Sequence, residues 1–519
     1  MAVARFSFVA FFCVVVAGGT PTSSQPEAVK LRPTGSVLAR TSQDFVGVTL
    51  DLWRADDPSY GAKWGNASAL TITLTPWLSN LARGIGGVLR IGGSPEDSLV
   101  YQPLGGSCPT ALPPLPALPS AYYCSQVRPA VYDCLTTARW AALNDFASNA
   151  GLKLVLGLNG CLGRTSTTDP IDVATLARFF TDTAKQQLAV FGFGVGNELD
   201  GSYSGSDGVD PSTLGRDLGA IAAAIRSVWP QEDARPILLA PDIAAFTGGT
   251  LLPPYFAAVV AAAPAGSFRG LTFHQYPYCS PNSAPAGQVL SLACLSKLDA
   301  SAEAFTDLAA AHGLEAWVGE SANLWEGGRP NVTDSFCDLF YFAYNLQAMA
   351  LRGVTTVLRQ TLVGGDYELV DRNTMMPNPS YWLAVAWRQL VAPVVLELAN
   401  SSLPLPPQLR VSLHCSAAPG VARPIVFVVN FATNLTFLID VASSVNASGG
   451  ELFVHLLTAD TLSSRTLLLN GRPLVPGSDG APPLLQPLAA RLASPFLMPP
   501  GSLAFVQPAS GALDACTSA

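Results

Sequence analysis

Two glutamates stand where catalysis could be built. Asn197-Glu198 closes the apolar run Phe191-Gly-Phe-Gly-Val-Gly, and Glu320 closes Ala316-Trp-Val-Gly. Each acid follows a short run of strand type and precedes loop-like sequence. In a barrel of parallel strands, ends of this kind converge at the C-terminal face. A carboxyl pair delivered there suits retaining glycoside hydrolysis, in which one group protonates the departing oxygen and the other attacks the anomeric carbon across roughly 5 Å. A single glutamate at a strand end can equally be a salt-bridged structural residue. Asn197 shifts the reading, because an amide there can hydrogen-bond a sugar 2-hydroxyl, a contact that strengthens in an oxocarbenium-like transition state. Glu198 is then expected to be the general acid/base and Glu320 the nucleophile. The chemistry needs one carboxyl protonated while its partner stays ionised, a split that charged neighbours produce.

His274, in Thr-Phe-His-Gln-Tyr-Pro-Tyr, is one of 4 histidines. It is either a satisfied core imidazole or a group that orients substrate. His312, His414 and His455 are scattered, so no His/Cys/carboxylate set has metal-ligand spacing and no serine triad is evident; neither metal nor organic cofactor is expected. Gly327-Gly328, and Gly364-Gly365 followed by Asp366-Tyr367, fall after late strands. Glycine pairs of this kind are plain turns, or points of close backbone approach where amide N–H groups grip an anion. Gly192, Gly194 and Gly196 lead into an acid with no helix opening on them, which is not a dinucleotide fingerprint.

The elements that must position these residues are eight apolar, β-branched or aromatic runs: 45–52, 88–93, 152–159, 190–198, 237–242, 271–276, 316–320 and 355–360. Ala/Leu-rich stretches of helical period, such as 173–188, 213–228 and 302–312, separate most of them. Near-continuous apolar strands alternating with helices predict an α/β fold, a (β/α)8 TIM barrel over 45–390. Several runs end at or near polar residues: Asp51, Asn159, Glu198, Asp242, His274, Glu320 and Gln360. After 381–390, which reads as the last barrel helix, short alternating segments with Pro, Gly, Asn and Ser between them predict an antiparallel β-sandwich over 391–519. Within 25–44, the segment 29–40 is expected to add a strand to that sandwich. The Pro-rich 109–119 reads as an ordered surface loop.

Composition bounds the function. Charged residues make up 13% and apolar ones 49% of 519 residues, which excludes a disordered chain. A net charge of -8 without Lys/Arg clusters argues against nucleic acid as a partner and against a heavily sulfated polysaccharide. Arg5, the apolar stretch 6–17 and small residues Ala17, Gly18 and Gly19 have the layout of a cleaved signal peptide, with 1–24 as signal and leader. No later segment supplies about 18 uninterrupted apolar residues, so no transmembrane helix is expected after signal removal, membrane association stays open, and 256–263 reads as a core helix. A secreted, extracellular protein is expected, with vacuole or lysosome as alternative destinations. Of 10 cysteines, Cys13 leaves with the signal, so one should stay without an intrachain partner. Pairing of Cys108 with Cys124 and of Cys279 with Cys294 is compatible with spacing. Sequons at Asn66, Asn331, Asn400, Asn434 and Asn446 agree with secretion and are expected to carry glycans.

Taken together, the chain resembles the heparanase-like enzymes of glycoside hydrolase family 79, especially their plant β-glucuronidase branch. The matching strings are Leu-Arg-Ile-Gly-Gly-Ser (89–94), Gly-Leu-Asn-Gly (157–160), Val-Gly-Asn-Glu-Leu (195–199), Phe-His-Gln-Tyr (273–276), Trp-Val-Gly-Glu (317–320), Arg-Gln-Thr-Leu-Val-Gly-Gly-Asp-Tyr-Glu-Leu-Val (359–370) and Pro-Asn-Pro-Ser-Tyr-Trp (377–382). The Asn-Glu and second-Glu strings would fit many barrel glycosidases; the 359–382 block is specific to the family. The resemblance runs from about residue 45 to the C-terminus. It implies a retaining exo- or endo-β-glucuronidase with Glu198 as acid/base and Glu320 as nucleophile. Asp51, Asn197, His274, Tyr276 and Tyr367 match substrate-subsite positions, and Gly327, Gly364 and Gly365 look like the loops that receive the uronic acid carboxylate. Cys415 and Cys516 look like the disulfide that closes the family's sandwich. One departure is Glu326, where relatives carry a small residue; a carboxylate there costs uronate binding unless it points to solvent or is neutral. Mammalian members carry a long excised linker after the second strand, whereas 101–132 is short here, which implies a single-chain monomer.

The substrate expected from this reading is a glucuronic-acid-containing polysaccharide or proteoglycan of low sulfation, attacked from its non-reducing end. A barrel glycosidase on a neutral sugar is the alternative within the class, and a catalytically silent carbohydrate-binding relative is the alternative outside it.

Overall fold

The computed structural model describes residues 28–109, 122–126, 133–201, 205–244, 252–277, 290–399, 405–441, 451–488, 492–493 and 495–517. The signal segment 1–24, the Pro-rich 110–119, Cys279, Asn400 and Asn446 lie outside them. Among the described residues no helix is long and apolar enough to cross a membrane.

Eight parallel strands close a barrel in sequence order: Val46–Asp51, Val88–Gly92, Lys153–Leu158, Gly192–Val195, Ile237–Ile243, Gly270–Gln275, Glu315–Ser321 and Thr356–Arg359. The last pairs with the first, Val357 opposite Val46. The first, second, fourth, sixth and eighth are buried at every position. Helices cover their outer face and side-chain layers fill the inner one, so the strands carry continuous apolar runs instead of alternation. The surrounding helices start on side chains that accept their orphan N–H groups: Thr75 before Pro76–Ile85, Thr136 before Thr137–Ala150, Asp172 before Val173–Lys185 and Asp210 before Pro211–Val228. The apolar segment expected as a core helix, 256–263, falls in the helix Leu252–Ala262 except for its last residue.

The strand Val391–Leu398 begins where the helix Pro379–Leu390 ends, and Pro33–Arg40 pairs antiparallel with it at the edge of a nine-stranded sheet. A three-stranded sheet lies across one face, where Leu396, Val426, Val428, Val454 and Val506 share a core with Ile439, Phe496 and Met498. The alternate residues, Val395, Ile425, Phe427, Val429 and Phe505, belong to the barrel's core. Phe427 meets Trp387 edge-on at 5.7 Å, and Gln347 Nε2 donates to Ser412 Oγ and the Phe427 carbonyl, each at 3.1 Å. A sheet buried on both sides ties the sandwich rigidly to the wall behind the active face, and truncating Phe427 to Ala would cost about 3–5 kcal/mol.

The disulfides correct one expectation. Cys108 pairs with Cys134, not Cys124, and Cys124 pairs with Cys161. The two-residue strands Val100–Tyr101 and Cys134–Leu135 run side by side and bring Cys134 to the loop carrying Cys108, while the short helix Tyr123–Gln126 brings Cys124 to the loop after the third barrel strand. Spacing along the chain carries none of this. Cys294 is also disulfide-bonded. Cys415 and Cys516 are joined across 101 residues, and Cys337 is a buried thiol.

Candidate active site

The strand ends place Asp51, Asn197, Glu198, His274, Glu320 and Gln360 around one opening. Glu198 follows a turn in which Gly196 has φ +70° and Glu198 itself φ +56°. A Cβ on Gly196 would lie 2.4 Å from Leu199, so only glycine fits the turn that aims Asn197 and Glu198 inward. Glu198 holds the costly left-handed conformation through its N–H, which donates to the Asp242 carbonyl at 2.8 Å. Asn197 is fixed from three sides. Its N–H donates to Asp97 Oδ2 at 3.0 Å, its carbonyl accepts from Tyr123 Oη at 2.5 Å, and its side-chain oxygen accepts from Arg90 Nη2 at 3.3 Å. The Cys124–Cys161 bridge pins the helix that supplies Tyr123.

His274 stands between the two glutamates. Its Nδ1 is 2.8 Å from Glu198 Oε1 and 3.9 Å from Glu320 Oε2, and its Nε2 is 3.6 Å from Asp242 Oδ1, an ion-pair rather than a hydrogen-bond distance. Burial works to lower the imidazole pKa, but Glu320, Asp242 and Glu198 together hold it well above the ordinary value. Glu320 accepts a short hydrogen bond from the Tyr276 hydroxyl and pairs with Arg90 Nη1 at 3.3 Å. Arg90 also pairs with Glu96 and Asp242, each at 3.1 Å, and is itself buried. Burial opposes its charge, yet Asp242, Glu96, Glu320 and Asp51 raise its pKa further. Burial likewise opposes ionisation of Asp242, but Arg90 and His274 overcome it and bring that carboxyl down to about 2. At Asp51 and Glu96 burial wins, and both are pushed well above the carboxylate range, Asp51 with Glu320 as second cause. Asp97 is pushed up to about 7 by burial, against the amides of Asn197 and Gly160. The site therefore sets a fixed cation and an ionised Asp242 beside carboxyls biased toward the neutral acid.

Arg90, Glu96, Asp97 and Asp242 were not among the site residues expected from sequence. Arg90 sits inside the string Leu-Arg-Ile-Gly-Gly-Ser, and an arginine in the middle of a wholly buried strand was the available signal. Glycines made room for it: a Cβ on Gly157 would lie 1.9 Å from Glu96 Oε2, and one on Gly319 would lie 2.1 Å from Asp242 Oδ1. Missing side chains inside the barrel are filled by this charge network.

The opening leads into a cavity walled by Asp51, Asn197, Glu198, Tyr276, Glu320, Gln360 and Tyr367, with Trp53, Tyr60, Trp64 and Trp325 around them. Gln360 Nε2 donates to Asp51 Oδ2 at 2.7 Å and reaches the Tyr367 hydroxyl at 3.4 Å. Gly327 lines the cavity, but Gly364 and Gly365 do not. The Gly364 N–H donates to Glu368 Oε2 at 2.6 Å and the Gly365 N–H to the Lys63 carbonyl at 3.0 Å. Both amides thus have partners within the protein, and the missing Cβ atoms leave space for Trp64 and Tyr367, which would lie 2.6 and 2.7 Å away. Glu326 is exposed at the rim. The sequon residues Asn66, Asn331 and Asn434 are exposed. A larger cleft of about 550 Å³ lies at the opposite end of the barrel around Phe191, Arg235 and Phe268, the face that serves stability in barrel enzymes.

Residues 28–347 match glycosyl hydrolase family 79, N-terminal domain. The chain is 28% identical to heparanase-like protein 1 of Arabidopsis thaliana, over 90% of this chain and 91% of that protein. It is 25% identical to baicalin-beta-D-glucuronidase of Scutellaria baicalensis, over 90% of each. Among solved structures, a 4-O-alpha-L-rhamnosyl-beta-D-glucuronidase from Fusarium oxysporum 12S superposes with a TM-score of 0.60 at 15% identity, covering 92% of this chain and 100% of that one, a likeness of fold. With the matched domain spanning more than half of its length and the barrel and carboxylates in place, this chain belongs to glycoside hydrolase family 79.

Proposed function

We propose that this glycoside hydrolase is a retaining β-glucuronidase working by double displacement. Glu320 attacks the anomeric carbon while Glu198 gives its proton to the departing oxygen. Glu198 then takes a proton from water, which displaces Glu320 from the sugar. The observation that carries the reading is the shared nitrogen of His274, 2.8 Å from one carboxyl and 3.9 Å from the other. Their oxygens are thereby kept at the short end of, or below, the roughly 6.5–9.5 Å spacing of inverting enzymes. Arg90 and Tyr276 hydrogen-bond Glu320, which lines the cavity together with Glu198. Asn197, Asp51, Gln360 and Tyr367 supply polar contacts for the sugar. The glucuronide assignment draws on the named relatives.

The test is the rate of aryl β-glucuronide cleavage. Glu320→Ala and Glu198→Gln should each lower kcat by orders of magnitude, with retained configuration in the wild-type product. Near wild-type rates in either variant would overturn the assignment. The satisfied amides of Gly364 and Gly365 favour one second reading, a neutral sugar in the same site, which an aryl glucoside or xyloside measured alongside would reveal.

Passage through an oxidising compartment belongs to the same proposal, supported by the disulfides at Cys108–Cys134, Cys124–Cys161 and Cys415–Cys516. So does action as an unprocessed single chain, supported by Cys108–Cys134, which joins the two flanks of 109–133, and by Cys124–Cys161, which ties the middle of that segment to the loop after the third barrel strand.

A further inference from the structure

We infer that the mouth of the cavity is a leaving-group site for an uncharged group with a flat apolar face, an aromatic aglycone, received by Trp53, Tyr60 and Trp325; the inference rests on the glucuronidase reading of the carboxylates beneath. Aromatic rings form a ladder from the depth of the site outward. Tyr367 meets Trp64 edge-on at 6.1 Å, and Trp64 meets Tyr60 at 6.1 Å and Trp53 at 5.9 Å. Trp53 and Tyr60 pack on each other at 4.5 Å. Trp64 and Tyr367 are 1% and 3% exposed, whereas Trp53, Tyr60 and Trp325 are half-buried and line the cavity. Inner rings brace the outer ones, so the outer faces are presented with little freedom left to lose on binding. A sugar whose anomeric carbon lies between Glu198 and Glu320 can direct its substituent toward these rings, which line the same cavity.

Charge selects the occupant. Among the described residues, Asp51, Glu198, Glu320 and Glu326 line the cavity, and no lysine, arginine or histidine does. The neighbouring Lys63 is turned to the backbone, its Nζ donating to the Glu326 carbonyl at 2.6 Å and the Gly328 carbonyl at 3.0 Å. A sulfated leaving group would meet the exposed Glu326 at the rim, where the Lys63 ammonium is already engaged by two backbone carbonyls. A neutral planar group instead gains stacking and buries ring surface that water now covers.

The experiment compares kcat/KM for phenyl and methyl β-glucuronide in the wild type and in Trp53→Ala and Tyr60→Leu. The phenyl-over-methyl ratio should fall about tenfold in each variant, through KM; taking this ratio within each protein removes the intrinsic reactivity of the leaving group. Equal losses on both substrates would overturn the inference. So would a wild-type preference for a sulfated disaccharide glucuronide over phenyl glucuronide. Should a variant fail to fold, a free flavone titrated into the wild-type protein reads the same surface: competitive inhibition with tryptophan quenching at submillimolar concentration supports the site, and no binding at millimolar concentration overturns it. If the wild type cleaves aryl glucosides but not glucuronides, the sugar reading fails, and the same ratio measured on phenyl and methyl glucoside still decides the mouth.

Discussion

His274 Nδ1 lies 2.8 Å from Glu198 Oε1, with the imidazole fully buried behind the carboxylate it holds. A buried imidazole would ordinarily lose its charge. Here Glu320, Asp242 and Glu198, at the ends of three strands, outweigh burial and favour the charged ring, which stands between the two glutamates.

Replacing this ring should be felt as stability as well as rate. The folded-state pKa of His274 is raised, so its contribution is fully present below the unfolded value near 6.5 and is lost as pH rises through the folded value. His274→Ala is expected to cost about 3–5 kcal/mol at pH 6, the range for breaking a buried pair, and less at alkaline pH. Denaturant midpoints measured from pH 5 to 10 check it; a cost independent of pH would contradict the charged ring.

Asp242→Asn removes the anion that balances both Arg90 and His274. The carboxyl is lowered to about 2, so its contribution is present above the unfolded value near 3.8 and is lost as pH falls through about 2. The variant should be less stable by about 2–3 kcal/mol at neutral pH and should converge with the wild type near pH 2. Its kcat should also fall, because Arg90 would pair more closely with Glu320. Urea unfolding at several pH values, with parallel kinetics, tests both parts.

His414 predicts acid sensitivity remote from the site. It is buried in the sandwich against Trp387, 5.1 Å between ring centres, accompanied by Ser412 Oγ at 2.9 Å, and burial lowers its pKa to about 3. With the folded pKa depressed, stability is present above about 6.5 and is lost as pH falls. His414→Gln should flatten the fall in Tm between pH 6.5 and 4, where the wild type loses on the order of 3 kcal/mol from this group. An unchanged slope would show that the loss arises elsewhere.

Gly364→Ala tests the aromatic wall from behind. The residue has φ +98°, and a Cβ would meet Trp64 Cδ1 at 2.6 Å. Backbone strain of about 1–3 kcal/mol is expected, together with displacement of Trp64. Activity should drop by tenfold or more, with a lower Tm. Wild-type kinetics in this variant would mean that Trp64 can move without disturbing Tyr367.

Much of the fold is legible in the chain because barrel strands are covered on both faces. Runs such as 45–52 and 271–276 are therefore mainly apolar, and each of the eight expected runs overlaps one of the eight strands, five of them containing it whole. The pair Glu198 and Glu320 is legible for a related reason: an acid directly after such a run stands at a strand end. Arg90 and Asp242 were harder to see as members of the site, because a charged residue inside a buried strand has meaning only through what lies opposite it. Glycine pairs are legible as special positions but not as to purpose. Gly364 and Gly365 permit close packing of Trp64 and Tyr367, and their N–H groups serve Glu368 and Lys63.

Sequence by itself determined the class of fold, the order of its elements and the two acids at strand ends, since these follow from local periodicity and from where a run stops. Only the tertiary structure decided which cysteines pair, which amides remain for a ligand, and that His274 and Arg90 join Glu198, Glu320 and Asp242 in one charged cluster. Those outcomes depend on distances between residues far apart in the chain, and Coulomb and hydrogen-bond energies in a buried site are set by those distances alone.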